Sequence, residues 1–136
     1  MSFWLLKSEP DVYSWEDLVR EGETVWDGVR NAQAAANLKA MQPGDEALFY
    51  HSNIGKEAVG ICRVTRPAGP DPTDETGKWV AVWVAPVRRL KRPVTLAEMK
   101  IDPELAQFQL IRQSRLSVVP VRDSEWRRIL EAAETS

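Results

Sequence analysis

The sequence predicts an α+β protein, a small mixed β-barrel with helices packed around it, and three observations lead to this prediction. Strand patterns dominate the middle of the chain, over 46–51, 57–65 and 79–90. Helical patterns with capping residues lie on both sides of them. No internal repeat or linker divides the 136 residues, so one domain over 1–136 is expected.

The chain begins with a strand and a capped helix. FWLLKSEP, at 3–10, is a run of bulky apolar residues that predicts a short buried strand. Ser14 opens a capping box and Gly22 is a suitable C-cap, so a helix is expected over 14–21. The residues expected to face inward are Trp15, Leu18 and Val19.

A second helix follows a short extended segment. Thr24–Trp26 is expected to be extended, and Asn31 is a good N-cap for a helix over 32–41. Pro43–Asp45 has the composition of a turn. The apolar face of the helix is Ala34, Leu38 and Met41.

The central strands differ in their surroundings. The first two are joined by Asn53–Lys56, which predicts a hairpin. Residues 67–77 are rich in Pro, Gly and acid and predict a surface loop. The strand 79–90 is apolar on both faces, so we expect it to be central as far as Pro86, where a bulge or an edge is expected.

The last third mixes short elements with a longer helix. Thr95–Glu98 is a second capping box, and 105–111 has a helical pattern. RLSVVPV predicts a strand over 116–121. A final helix is expected over 124–133. Its apolar stripe is Trp126, Ile129, Leu130 and Ala133.

Composition limits the classes of protein that remain. Apolar residues make up 43% and charged residues 28%, as in ordinary globular domains. Cys62 is the single cysteine, which excludes an internal disulfide and a cysteine-based zinc site. The N-terminal segment becomes charged too early for a signal peptide, and no run is long enough for a membrane span. A cytoplasmic protein is therefore expected.

Charge is unevenly distributed along the chain. The formal net charge is −2, which argues against a general coat for nucleic acid. Residues 1–86 hold 8 basic and 13 acidic side chains, whereas 87–128 hold 10 basic and 5 acidic ones. Such asymmetry allows a basic face on an acidic protein, although arginines spread over several solvated surfaces give the same count.

Six runs in the same order resemble the EVE domain, a branch of the PUA-like superfamily related to the YTH domain. These runs are WLLKSEP (4–10), WDGVRNAQAAANLKAM (26–41), GDEALFYHS (44–52), VGICRV (59–64), PVTLAEMK (93–100) and RLSVVPV (115–121). The resemblance implies a PUA-like curved β-barrel and a pocket that reads a modified base in DNA or RNA. The loop after residue 66 is shorter than in eukaryotic relatives, so contacts from that loop cannot be transferred.

Trp26 is the first candidate for the wall of such a pocket. A flipped base needs a flat apolar face, polar groups for its edge and positive charge for phosphate. Trp26 stands at a strand-to-turn junction, where we expect an open ring, and the resemblance aligns it with a cage tryptophan of YTH domains. The alternative is a core tryptophan. Trp4, Trp15, Trp83 and Trp126 are expected to be core residues.

Other residues are expected around that ring. His51 is expected to meet a base edge, and Trp79, at the start of the long strand, to close the other side. Asn31 has two competing roles, as helix cap and as base contact. The complete base-binding set is Lys7, Ser8, Trp26, Gly28, Val29, Asn31, His51, Ser52 and Trp79.

Phosphate contacts are expected from two basic groups. One is the dense run that contains Arg88 and Arg89, and the other is the pair Arg112 and Arg115. Arg30 adds charge beside the start of the second helix. The predicted phosphate-binding set is Arg30, Arg88, Arg89, Lys91, Arg112 and Arg115.

Two other functions stay open at this point. An enzyme acting on a modified base is disfavoured because the sequence has no known catalytic, metal or cofactor motif, although Glu9, Asp27 and Asp45 are possible acids or bases. A protein–protein adaptor would use the aromatic pocket for a peptide side chain. No metal or cofactor is expected, and the sequence does not separate DNA from RNA, one modified base from another, or a monomer from an oligomer.

Overall fold

The computed structural model describes residues 1–134, which form one six-stranded sheet with five α-helices and a 3-10 turn. The elements in chain order are β1 (Phe3–Ser8), α1 (Trp15–Glu21), β2 (Thr24–Trp26), α2 (Ala32–Ala40), β3 (Glu46–His51), β4 (Glu57–Pro70), β5 (Val80–Thr95), α3 (Leu96–Lys100), the 3-10 turn Pro103–Leu105, α4 (Gln109–Arg112), β6 (Val118–Val121) and α5 (Asp123–Glu134).

The sheet is mixed, which confirms the α+β prediction but not the barrel. The strand order is β2-β5-β4-β3-β1-β6, with β1 and β3 parallel and the other neighbours antiparallel. Within residues 1–134 the edge strands β2 and β6 are not paired with each other. Helix α2 contacts both β5 and β6, and the Asn37 Nδ2 donates to the Val118 carbonyl at 2.8 Å. The sheet therefore stays open, and α2 packs against the edge strand β6 and against β5, which lies next to the other edge.

The two long strands extend further than the sequence predicts. Pro67 and Pro70 indicated a loop, but β4 continues to Pro70, which pairs with Val80. Pro67 lies in an irregular stretch of the pairing, where a missing N–H costs no ladder bond. The bulge expected at Pro86 is confirmed. Pro86 pairs with Cys62, and Arg88 pairs with Ile61, so β5 has one extra residue between two consecutive partners in β4.

Side-chain caps fix the ends of the helices as expected. Ser14 and Thr95 each form a capping box, with Asp17 and Glu98 respectively. Asn31 accepts from the Ala34 N–H at 2.9 Å at the start of α2. The region 105–111 divides into the 3-10 turn and α4 rather than one helix.

The core confirms most of the predicted inward faces. Trp4, Trp15 and Trp126 are buried. Val19 is an exception, since 53% of it is exposed on the outer face of α1. Trp83 is only half-buried, and the Arg66 guanidinium lies 4.3 Å from its ring centroid, so the prediction of a core Trp83 was wrong. None of the helices within 1–134 combines the length and apolar character needed to cross a membrane.

The ring of Trp15 rests directly on the backbone of β4 at Gly60. A Cβ added at Gly60 would stand 2.5 Å from the Trp15 Cζ3 atom, which is far inside van der Waals contact. We expect Gly60→Ala to lower the free energy of unfolding by about 1–3 kcal/mol, because overpacking forces the ring or the strand to move. Urea denaturation measures this loss.

Gly69→Ala is the matched control for that substitution. Gly69 lies in the same strand and has no heavy atom within 4 Å of an added Cβ. Its substitution should be neutral or stabilise the protein by up to about 1 kcal/mol. Equal stability of the two variants would contradict the tight contact between Trp15 and Gly60.

Candidate nucleic-acid interface

A cavity of about 450 Å³, here called the Trp26 pocket, opens where β1 and β2 end. Its volume is within the range of ordinary small-ligand pockets. It is lined by Lys7, Ser8, Val12, Tyr13, Glu21, Thr24, Val25, Trp26, Asp27, Gly28, Val29, Arg30 and Ser117. The structure thus brings together six of the predicted residues, namely Lys7, Ser8, Trp26, Gly28, Val29 and Arg30.

Trp26 is both a wall of this pocket and part of the hydrophobic core. Only 8% of the residue is exposed, and its ring meets the Phe49 ring edge-on at 5.5 Å and the Tyr13 ring at 6.4 Å. β2 pairs with β5 at Val82, which fixes the residue in the sheet. The expectation of an open ring was therefore wrong, because the ring is packed from behind by Phe49.

The turn after Trp26 depends on a left-handed residue. Gly28 has φ +79°, a conformation that side chains rarely adopt, and open space surrounds its missing Cβ. The glycine is required for the backbone angle and not for a close contact. Its N–H donates to the carboxylate of Asp71 at 2.8 Å.

Asp71 is a buried anchor for the rim of the pocket, and its side chain has 0% exposure. Besides Gly28, it accepts from the Arg30 Nη1 at 2.9 Å and from both the N–H and the hydroxyl of Thr73 at 2.7 Å. Burial opposes ionisation, but the bonds from Thr73, Arg30 and Gly28 outweigh it and hold the pKa of Asp71 below its usual value.

Sequence reasoning missed Asp71. The only local signal was the D-x-T spacing with Thr73, which is typical of a side chain that bonds the backbone two residues later. Nothing local indicates that the same carboxylate reaches residues 28 and 30.

Arg30 lies at the rim with part of its hydrogen-bonding capacity in use. It donates to Asp71, to the Val29 carbonyl at 3.1 Å and to the Thr73 hydroxyl at 3.1 Å, which uses three of its five N–H groups. Its side chain is 39% exposed. Its guanidinium lies 6.0 Å from the Trp79 ring centroid, so Trp79 stands beside Arg30 and does not line the pocket.

The rest of the lining is polar and is held by short contacts. The Ser8 hydroxyl donates to the Tyr13 carbonyl at 2.6 Å, and the Tyr13 hydroxyl donates to Glu21 at 2.7 Å. Burial and the bond to Glu21 raise the pKa of Tyr13 to about 12, so the phenol stays protonated. The Lys7 Nζ donates to the Ser114 carbonyl at 2.8 Å, and burial lowers its pKa.

His51 and Ser52 lie behind the pocket and do not line it. The His51 Nε2 accepts from the Trp15 N–H at 3.1 Å, and the ring packs edge-on against Phe49. The Ser52 N–H donates to the Ser8 carbonyl at 2.9 Å. Both residues therefore support the pocket, since they hold the start of α1 and the end of β1.

The predicted phosphate residues fall into separate places. Arg88 and Arg89 border a different depression, between α1 and β5, and pair with Glu134 at 3.7 Å and with Glu16. Lys91 is exposed on β5. None of these three lines the Trp26 pocket.

Arg112 and Arg115 lie close to the Trp26 pocket, on a surface that we name the Arg112–Arg115 patch. This patch borders a depression of about 360 Å³ formed by Asn31, Gln33, Arg112, Gln113, Ser114, Arg115 and Leu116. Asn31 belongs to the patch and caps α2, so its side-chain oxygen is engaged. The predicted cap is thus confirmed, and the base contact of Asn31 stays a prediction.

The candidate acids differ in their surroundings. Asp45 is buried and accepts from the Trp4 indole at 3.1 Å and from the Gln42 N–H at 3.0 Å, which makes it a structural anchor. Asp27 is exposed at the Trp26 pocket. Across residues 1–134, no group of three or more His, Cys, Asp or Glu is arranged to hold a metal ion.

The family model for the EVE domain matches residues 2–132. The chain belongs to the EVE domain family. Human thymocyte nuclear protein 1 is 34% identical over 167 aligned positions, which cover 98% of this chain and 74% of the human protein. The EVE resemblance predicted from the sequence is thus confirmed.

Solved structures agree with this membership. The NMR structure of Rpa0253 from Rhodopseudomonas palustris has a TM-score of 0.93 and 47% identity, covering 98% of this chain and 93% of that one. The human THYN1 protein in complex with 5-methylcytosine-containing DNA has a TM-score of 0.92 and 35% identity, covering 100% and 99%.

A more distant likeness concerns the fold alone. The YTH domain of Zygosaccharomyces rouxii MRB1, solved with N6-methyladenosine RNA, has a TM-score of 0.63 at 15% identity and covers 98% of this chain and 87% of that one. The predicted relation to YTH domains is therefore confirmed at the level of the fold.

The anchoring role of Asp71 is tested by Asp71→Asn. We expect the free energy of unfolding at pH 7 to fall by about 1–3 kcal/mol. Both carboxylate oxygens accept hydrogen bonds in the wild type, and in the variant an NH₂ group replaces one of them, so the donors on that side lose their acceptor. The folded pKa is lowered, so the carboxylate stabilises the wild type above about pH 4 and this advantage is lost as the pH falls below that value. The difference between wild type and variant should therefore narrow towards pH 3.

Glu75→Gln is the control for the charge change, since Glu75 is exposed in the same loop. It should leave the stability at pH 7 within about 0.5 kcal/mol of wild type. If the Asp71→Asn variant is as stable as the Glu75→Gln variant, the hydrogen bonds to Asp71 do not stabilise the protein.

The acceptor role of His51 gives a pH-dependent prediction. Burial lowers the pKa of His51, opposed by Glu16 and Glu57. A lowered folded pKa means that the neutral ring stabilises the protein above about pH 6.5 and that this contribution is lost as the pH falls below it. Between pH 7.5 and 5.5, wild type should lose more stability than His51→Gln, whose amide oxygen accepts at every pH. Parallel losses in urea denaturation would refute this role.

Proposed function

We propose that this EVE domain binds nucleic acid and holds one modified base in the Trp26 pocket. The observation that carries the proposal is an aromatic wall in a cavity of about 450 Å³ with the cations Lys7 and Arg30 at its rim. An aromatic face stacks on any base, and cations at the rim suit the adjoining phosphates. The human THYN1 protein solved with 5-methylcytosine-containing DNA supports the same function for this chain.

Stacking on Trp26 would supply affinity, and the polar lining would supply selection. A ring packed against Phe49 and Tyr13 cannot turn away when a base arrives, so the stacking face is formed in advance. Hydroxyl groups of Ser8, Thr24 and Ser117 line the cavity. The Ser8 hydroxyl already donates to the Tyr13 carbonyl and can only accept at a base edge, whereas the Ser117 hydroxyl can donate or accept there. A base inside this cavity has left its stack, so single strands or flipped nucleotides are the expected substrates.

Reading without catalysis is the function that we favour. The support is the family membership, together with the human THYN1 relative solved in complex with 5-methylcytosine-containing DNA. Asp27 keeps the enzyme alternative open, since a carboxylate at the pocket is a possible acid or base. The third candidate, a protein–protein adaptor, predicts little affinity for oligonucleotides and little dependence on salt.

A reducing compartment is proposed for the protein, and the cytoplasm remains the expected one. Cys62 is the single cysteine and is a free thiol buried in the core, which suits a reducing compartment. Cytosol and nucleus are both reducing, and the human relative is named a nuclear protein.

A binding screen separates the three candidates. Single-stranded DNA and RNA that carry one modified base are compared with unmodified strands of the same sequence, at stated salt. A reader binds a modified strand more tightly and returns it unchanged in mass, an enzyme returns an altered base, and an adaptor binds none. Equal affinity for every modified and unmodified strand would contradict the proposal.

Trp26→Phe tests the stacking wall without removing the core. Trp26→Ala would confound the test, because truncating a buried tryptophan costs about 3–5 kcal/mol of stability. Phenylalanine keeps an aromatic ring but reduces the stacking area, so part of the roughly 1–3 kcal/mol per stacked base should be lost, or about two- to tenfold in affinity. The affinity is measured with the tightest-binding strand of the screen.

Trp83→Phe is the matched control, since Trp83 lies outside the pocket. It should bind that strand as wild type does. An unchanged affinity for Trp26→Phe, or an equal loss for both variants, would remove Trp26 from the binding site.

A further inference from the structure

We propose that the bound strand leaves the Trp26 pocket on one side only and that its phosphates lie along the Arg112–Arg115 patch. This inference rests on the proposed function and adds the path of the backbone. Three features carry it: the contact between pocket and patch, the unpaired charges of the patch, and the acidic character of the opposite rim.

The pocket and the patch are joined at three places. Arg30 lines the pocket and the next residue, Asn31, borders the patch, just as Ser117 lines the pocket and Leu116 borders the patch. The third link is a hydrogen bond from the Lys7 Nζ in the pocket to the Ser114 carbonyl in the patch, at 2.8 Å. A strand whose base occupies the pocket therefore meets the patch next.

The cations of the patch are free to bind a phosphate. Arg112 and Arg115 are exposed, and neither forms an ion pair within residues 1–134. In the part of the chain that the structure describes, no acidic side chain borders their depression. Free guanidinium groups can bind phosphate oxygens in a bidentate manner without first breaking a protein ion pair.

The basic run that contains Arg88 and Arg89 differs from the patch, because these two arginines already form ion pairs. Arg89 pairs with Glu16, and Arg88 pairs with Glu134. A phosphate that bound there would compete with these carboxylates. The depression that they border also contains none of the residues that line the Trp26 pocket.

The other rim of the pocket is acidic. Glu21 is an exposed lining residue whose carboxylate accepts from the Tyr13 hydroxyl, and Glu9 and Asp11 are exposed just before the lining residue Val12. Three carboxylates near Tyr13 repel a phosphate backbone, because like charges at a binding surface are unfavourable. The strand is therefore held on the patch side and extends into solvent on the other.

Salt dependence tests the path with two matched variants. Arg112→Gln/Arg115→Gln and Arg88→Gln/Arg89→Gln each remove two positive charges from exposed positions. On single strands, each lost phosphate contact makes the slope of log affinity against log salt concentration about 0.7 less steep. The slope of the Arg112 and Arg115 variant should therefore be about 1.4 less steep than that of wild type, and its affinity at 0.1 M salt should be about ten- to thirtyfold lower. The second should keep the wild-type slope.

The position of the modified base tests the asymmetry. Three strands carry it at the 5′ end, in the centre and at the 3′ end. One of the two strands with a terminal modified base should bind about as tightly as the strand with a central one, because all of its phosphates can lie along the patch. The strand with the base at the other end should bind several-fold more weakly, because its phosphates extend into solvent. In Arg112→Gln/Arg115→Gln this difference should disappear.

The outcomes separate this inference from the proposed function. If modified strands bind preferentially but the Arg112 and Arg115 variant keeps the wild-type slope, or if both end positions lose affinity equally, the path is wrong and the pocket stands. If no modified strand binds preferentially to wild type, the proposed function itself fails and this path fails with it.

Discussion

The buried carboxylate of Asp71 is the constraint on which the candidate site depends. It holds the Gly28 N–H at 2.8 Å and the Arg30 guanidinium at 2.9 Å, and so fixes the turn that carries one rim of the pocket. Without such an acceptor, a turn with a left-handed glycine would sample many conformations. The anchor therefore lowers the conformational entropy that ligand binding would otherwise have to remove.

Trp26 belongs both to the hydrophobic core and to the wall of the candidate pocket. Its edge contacts with Phe49 and Tyr13 place it in the core, while the Trp26 pocket opens beside it. His51 and Ser52 secure the elements behind that ring without lining the pocket. Rigid support of this kind favours selection between similar bases, because a wall that cannot move tolerates fewer shapes.

Local patterns were sufficient to predict most of the elements, though not all of their bounds, but they did not predict the tertiary partners. The caps at Ser14, Asn31 and Thr95 depend on neighbours in sequence and were all predicted correctly. The open sheet, the burial of Trp26 and the anchor at Asp71 depend on pairs more than 40 residues apart or on the whole sheet order, which no local spacing encodes. The family resemblance predicted a pocket at Trp26, but it did not predict which of the two basic groups lies next to that pocket.

The state of the Trp26 indole during titration with nucleic acid tests the central claim most directly. The six tryptophans give six indole N–H signals in a nitrogen–proton NMR spectrum, and substitution assigns each one. On addition of a strand with 5-methylcytosine or another preferred modified base, the Trp26 signal should shift most, while those of Trp4 and Trp126, buried away from the pocket, stay in place. A stationary Trp26 signal in a protein that binds the strand would contradict the account.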